Sequence, residues 1–138
     1  MKILADTCVW SLLLRRKTSI NLDTEELRLV AALQDAVQAG QIVLIGPIRQ
    51  ELLSGLKEPT QFERLRVALA AFPDEELQAS DYEEAAQLFN RCRSRGITCG
   101  PIDLLICAIA MKRHWGILTR DQDLLRCLAA VNAEKLLR

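Results

Sequence analysis

The sequence predicts an α/β fold, a three-layer α/β/α sandwich around a central parallel sheet. Two observations predict it. Short apolar runs, each too short for a helix, alternate along the chain with stretches of helical periodicity. No internal repeat, linker or low-complexity tract interrupts that alternation. Strands that alternate with helices pair in parallel, with right-handed crossovers, and need helices over both faces of the sheet. The 138 residues are half apolar (50%), which suits one domain, residues 1–138, with its own core.

The elements follow in order. Ile3-Leu4-Ala5 is a short strand, and Thr7 to Arg16 a helix. Asp23 and Glu26 have the spacing of an N-cap and the third helical position. Leu27, Val30, Leu33 and Val37 then recur at helical intervals, and Gly40 ends the helix. Ile42 to Ile45 reads as a buried strand, and Gly46-Pro47 turns into a helix through Leu56. Thr60 and Glu63 have capping-box spacing, Phe62, Leu65, Leu69 and Phe72 form a stripe, and Pro73 stops it. A weak strand is expected over Glu76 to Ala79. Ser80 and Glu83 open a helix with Tyr82, Ala85, Ala86, Phe89 and Cys92 inward, ending at Gly96. Asp103 begins a nearly all-apolar helix to His114, which such composition buries on most sides. Gly116 to Thr119 is a strand, Asp121 to Ala130 a helix, and Val131 to Leu136 a last strand.

Composition excludes some functions. Eighteen Lys plus Arg balance eighteen Asp plus Glu, so a polyanion must be met by local clusters. The longest apolar run, Leu104 to Met111, is too short to span a bilayer, and the N-terminus reaches Asp6 before a signal peptide could form. These features predict a soluble cytoplasmic protein. The five cysteines are scattered and form no Cys-x-x-Cys pair, which argues against zinc ribbons and dithiol redox motifs. Cys107 sits in an apolar run and is expected to pack as a small hydrophobe.

The acids carry the functional signal. In a parallel sheet the functional edge lies beyond the carboxyl ends of the strands. Asp6 directly follows the first strand, and Asp121 closely follows the late one. Glu51 lies about a turn into the helix after Ile45, and Asp103 opens the apolar helix. Taken singly, each suits a helix cap or a solvated helix face. Taken together they converge on one edge, with Asp123 a possible fifth. Two carboxylates ~5 Å apart repel by roughly 3 kcal/mol at an effective dielectric near 20. A divalent cation relieves that repulsion, and all-oxygen ligands suit Mg²⁺ or Mn²⁺ rather than zinc. A water bound to such an ion can attack a phosphodiester.

Four stretches around these acids carry a resemblance along nearly the whole chain. They are Ile3-Leu4-Ala5-Asp6-Thr7-Cys8-Val9-Trp10, Gln50-Glu51-Leu52-Leu53-Ser54-Gly55, Asp103-Leu104-Leu105-Ile106-Cys107-Ala108 and Leu118-Thr119-Arg120-Asp121-Gln122-Asp123. In order and spacing the chain resembles a PIN-domain ribonuclease, a VapC-type toxin of a type II toxin–antitoxin system. The resemblance implies metal-dependent endoribonuclease activity, a homodimer, and inhibition by a cognate antitoxin in a heterotetramer or larger assembly. It maps catalysis and metal ligation onto Asp6, Glu51, Asp103 and Asp121, with Asp123 a helper ligand. Thr119 would hydrogen-bond a ligand carboxylate or a water. Cys8 stands where a small hydroxyl residue is common, and Leu124 where an aromatic is common.

RNA reaching an acidic pocket needs nearby cations. Arg120 is the strongest candidate, with Arg15 and Arg16 after the first helix, and with Arg91, Arg93 and Arg95 evenly matched by a solvated-face reading. His114 is the only histidine, so a histidine-pair mechanism is not available. Neither a phosphate-cradling glycine loop nor a nucleophile elbow is present. Two alternatives share the fold. A receiver-like phosphotransfer domain wants an acidic pair after the first strand and a lysine after a late one, and neither is found. A non-catalytic RNA- or protein-binding module would tolerate loss of Asp6.

Overall fold

The computed structural model describes residues 1–14 and 21–138. Three short strands, β1 (Ile3–Ala5), β2 (Ile42–Val43) and β3 (Gly116–Leu118), form a parallel sheet in the order β2-β1-β3. The register sets Ile3 beside Ile42 and Gly116, and Ala5 beside Leu118. Every strand therefore ends at the same edge. The helices are α1 (Thr7–Leu14), α2 (Thr24–Gln38), α3 (Gly46–Leu53), α4 (Pro59–Leu69), α5 (Ala79–Ser94), α6 (Pro101–Arg113) and α7 (Gln122–Ala130). The whole is the three-layer α/β/α arrangement that the alternation predicts. No helix among the described residues is long and apolar enough to cross a membrane.

Residue chemistry explains the framework. β1, at the centre of the sheet, buries Leu4 and Ala5 completely. Residues 104–110 of α6 are all buried, between α5 and α7, so its apolar character runs around the helix as expected. Each fully buried Leu or Ile there contributes about 1.5–3 kcal/mol of transfer free energy. Pro101 sits in the first turn of α6, where its missing N–H costs nothing, and Gly100 is the N-cap. His114 closes α6 in the left-handed region (φ 55°). Asp23 and Glu26 form the predicted capping box, with Asp23 Oδ1 accepting from Glu26 N (2.8 Å) and Glu26 Oε1 from Asp23 N (3.1 Å). Trp10 is buried against Phe72 in an edge-on ring contact, with centroids 5.3 Å apart. Cys107 is buried as a packing residue, and Leu124 is buried too.

Several local expectations are corrected. The last strand is absent: Asn132 turns in the left-handed region (φ 57°), a 3-10 helix spans Glu134–Leu136, and Leu137 makes a single parallel bridge to Ile117. The weak strand over Glu76 to Ala79 is also absent. Pairing falls earlier, at Asp74 beside Leu44, and Asp81 accepts from Gln78 N (2.7 Å), which draws Ala79 into α5. The opening of α5 is thus set by Gln78 and Asp81, not by Ser80 and Glu83, and Tyr82 and Ala86 face solvent while Leu88 is buried. At α4 the cap is Glu58, whose carboxylate accepts from Thr60 N and Gln61 N, because Pro59 takes the first position. Phe62 remains 38% exposed, and among the described residues the main packing partner of α4 is α3. In α2, Leu29 is buried and Leu27 exposed. α3 stops at Leu53, capped by Ser54, and α6 begins at Pro101, with Asp103 at its third position. Cys99 and Cys127 form a disulfide between the segment before α6 and α7, with Cα atoms 5.9 Å apart. Their spacing in the sequence does not announce that pair. The expected extension of α1 to Arg16, and the cations Arg15 and Arg16, lie outside the described residues.

Candidate active site

The edge at which the strands end carries a cavity of about 850 Å³. Asp6, Glu51, Asp103, Asp121 and Asp123 all line it. They arrive from four places in the fold: the end of β1, helix α3, the first turn of α6, and the start of α7. Gly100 and Pro101 also line the wall, so the positive N-terminal end of α6 faces the acids. Such an end favours nearby negative charge by about 0.3–1 kcal/mol.

Asp6 is the most firmly held. It is 8% exposed, and its own N–H donates to Leu118 O (2.9 Å), which fixes it to β3. Its Oδ1 accepts from Thr7 N (2.8 Å) and its Oδ2 from the Thr119 hydroxyl (3.0 Å). Cys8 Sγ lies 3.7 Å from the same Oδ2 and 3.6 Å from Thr119 Oγ1, so the thiol takes the place of a hydroxyl donor. Burial, with the charges of Asp121 and Glu51, raises the Asp6 carboxyl above its ordinary value even though Thr7 and Thr119 donate to it.

Thr119, 6% exposed, joins two acids. Its oxygen donates to Asp6 and accepts from Asp121 N (3.0 Å). The expected hydrogen bond from Thr119 to a carboxylate is thus present. Asp121 caps α7 with Oδ1, which accepts from Asp123 N (3.1 Å), so the cap reading holds for a residue that also lines the cavity. Asp123 is open to solvent and pairs with Arg126 (3.2 Å). Asp103 is pushed up to about 6, first by burial and then by the charges of Asp121, Asp6, Asp123 and Glu51. Four carboxylates acting on a fifth mark a shared electrostatic basin.

Substituting Thr119→Val removes both hydrogen bonds at nearly constant volume. Outer partners of metal-ligating carboxylates typically account for 10–100-fold in affinity. Thr119→Val is therefore expected to weaken Mn²⁺ binding by about tenfold while the circular dichroism spectrum is unchanged.

The donor set fits a hard dication. It consists of carboxylate oxygens, and burial together with neighbouring carboxylates raises Asp6 and Asp103 above their ordinary values. Among the described residues, no three such side chains are gathered closely enough to hold an ion as they stand. The acids line the cavity without closing on a point.

Among the described lining residues Arg120 is the only cation. Its guanidinium does not meet the acids of the cavity. It pairs with Glu26 Oε2 of α2 at 2.6 Å. Sequence reasoning read Glu26 only as a helix-cap residue, and nothing in its local pattern signals an ion pair with a residue 94 positions away. Arg91, Arg93 and Arg95 do not line the cavity. His114 caps the end of α6 while Asp103 lies in its first turn, roughly 16 Å apart at 1.5 Å per residue.

A family model for the PIN domain matches residues 3–128. The chain belongs to the PIN domain family. PIN domains are generally nucleases, which hydrolyse phosphodiester bonds. Two solved structures share this PIN fold. One is VapBC2 from Rickettsia felis bound to a DNA fragment from their promoter, at TM-score 0.67 and 17% identity, with 91% of this chain and 92% of that chain covered. The other is FitAcB from Neisseria gonorrhoeae, at TM-score 0.64 and 22% identity, with 92% and 93% covered. No curated protein matches the chain.

Proposed function

We propose that this PIN domain is an endoribonuclease dependent on Mg²⁺ or Mn²⁺, acting as the VapC-type toxin of a toxin–antitoxin pair. The observation that carries the reading is the meeting of five acids, distant in sequence, on one cavity wall in a PIN domain. Asp6, Glu51, Asp103 and Asp121 would hold the cation, with Asp123 at the open side. When bound, the cation supplies Lewis-acid charge at the scissile phosphate and an activated water. The protein supplies the rest. Thr119 and the Thr7 N–H orient Asp6, and Thr119 ties Asp121 to it. Arg120, at the cavity wall, offers N–H groups to a backbone phosphate. The N-terminus of α6 adds partial positive charge where the phosphate would approach.

The toxin role is supported by the VapC-type likeness of the four acid-bearing stretches and by the shared fold with the VapBC2 structure. It carries a cognate antitoxin, a homodimer that the antitoxin converts to a heterotetramer or larger, and a cytoplasmic site of action on RNA.

Sequencing of RNA ends after expression in cells tests the reading. The wild type is expected to create new 5′-phosphate and 3′-hydroxyl ends that Asp6→Asn does not. Cyclic phosphate ends, or identical RNA in the two strains, would contradict it.

A further inference from the structure

Among the described residues, the one cation of the cavity wall is tied to an acid outside the cavity. Glu26 is not among the lining residues, yet its Oε2 takes the Arg120 guanidinium at 2.6 Å. Its Oε1 is fixed separately by Asp23 N at 3.1 Å. The Glu26 side chain is 15% exposed, so its carboxylate is a fixed anchor, whereas the Arg120 side chain is 41% exposed. Without that anchor the guanidinium, carried by a wall residue next in the chain to Asp121, would be free to turn toward the five carboxylates that line the cavity. There it would neutralise the charge that a cation needs and withdraw its donors from a phosphate.

We propose that Glu26 is a positioning residue: its carboxylate holds the Arg120 guanidinium at the rim of the acidic cavity, out of the cation position and open to a substrate phosphate. This rests on the nuclease reading above. An Arg fork keeps N–H donors free after one oxygen is engaged, so the same guanidinium can serve Glu26 and a phosphate together. The α2 cap thereby becomes a support of the active site from across the fold.

Glu26→Gln tests this cleanly, because glutamine also serves as the third residue of a capping box and keeps an acceptor for Asp23 N. The measurements are Mn²⁺ titration followed by electron paramagnetic resonance, steady-state cleavage of a short single-stranded RNA, and thermal melting. Glu26→Gln is expected to raise the Mn²⁺ dissociation constant about fivefold, the upper end for a partly exposed ion pair. It should raise KM for RNA while kcat at saturating Mn²⁺ is kept and the melting temperature is unchanged. The double variant Glu26→Gln/Arg120→Ala should regain wild-type Mn²⁺ affinity, since no guanidinium remains to enter the basin. Arg120→Ala alone should keep that affinity and lower the salt slope of RNA binding by about one. Unchanged Mn²⁺ affinity and KM in Glu26→Gln would overturn the inference and leave the nuclease reading standing. Equal losses in the single and double variants would overturn it as well. A wild type that binds no Mn²⁺ and cleaves no RNA would overturn both.

Discussion

Asp6→Asn is expected to abolish RNA cleavage, by at least about a hundredfold, and to leave the fold intact. The magnitude follows from losing one preorganised charged group at a reacting centre, which typically costs 10²–10³ in rate. The fold survives because asparagine is the same size, and its amide oxygen can still accept from Thr7 N, the shorter of the two bonds Asp6 makes at 2.8 and 3.0 Å. The amide nitrogen then faces Thr119, whose hydroxyl proton can turn away toward Cys8 Sγ, 3.6 Å from it. Burial and repulsion from Asp121 and Glu51 already disfavour the Asp6 charge. Neutralising it therefore costs the apo fold little. Cleavage assays beside far-ultraviolet circular dichroism check both halves. Unfolding of Asp6→Asn, or retained cleavage, would count against the arrangement.

Asp103→Asn is expected to stabilise the metal-free protein while ending cleavage. The sign follows from proton linkage. Asp103 has an ordinary value of 3.8 and is pushed up to about 6 in the fold. A folded-state pKa above the unfolded one means that the native protein holds the proton more tightly. Its contribution to stability is full below about 3.8 and is lost as pH rises through about 6. At neutral pH the ionised carboxylate is a burden on the apo fold, and asparagine removes it. Partial solvent contact screens the charge, so the gain is set at about 1 kcal/mol, or about 3–5 °C in Tm. Melting curves in EDTA should show this gain near neutral pH and none at about pH 4, with the difference opening between the two. Added Mn²⁺ should stabilise the wild type and reverse the order. A substitution that lowers Tm equally at both pH values would mean that Asp103 serves the fold through packing or capping alone.

The contrast between what the residues announced and what they concealed has a physical basis. Asp6 and Asp121 were legible because a parallel sheet sends every strand end to one edge, so an acid after β1 and an acid after β3 must meet. Glu51 and Asp103 were legible once the helices that follow β2 and precede β3 were placed. Local patterns also held where a single helix turn decides them, as in the Asp23–Glu26 capping box. Long-range pairings were hidden. Nothing near Glu26 points to Arg120, and nothing near Cys99 points to Cys127. The last strand failed because Asn132 and the closing bonds of α7 reverse the chain before Val131 to Leu136 can extend. Of the Phe62 stripe, Leu69 is buried and Leu65 and Phe72 pack against the core, but Phe62 is exposed, because periodicity finds a helix face but does not show how far packing covers it. That face of α4 remains partly open.

The central claim is that carboxylates scattered along the sequence act as one binding site for a hard divalent cation. Isothermal titration of the purified protein with Mn²⁺ near neutral pH, with Asp6→Asn and Asp103→Asn alongside, tests it most directly. Saturable binding to the wild type that is lost or sharply weakened in both variants is the expected result. Absence of binding to the wild type, even with RNA present, or equal binding to all three proteins, would contradict it.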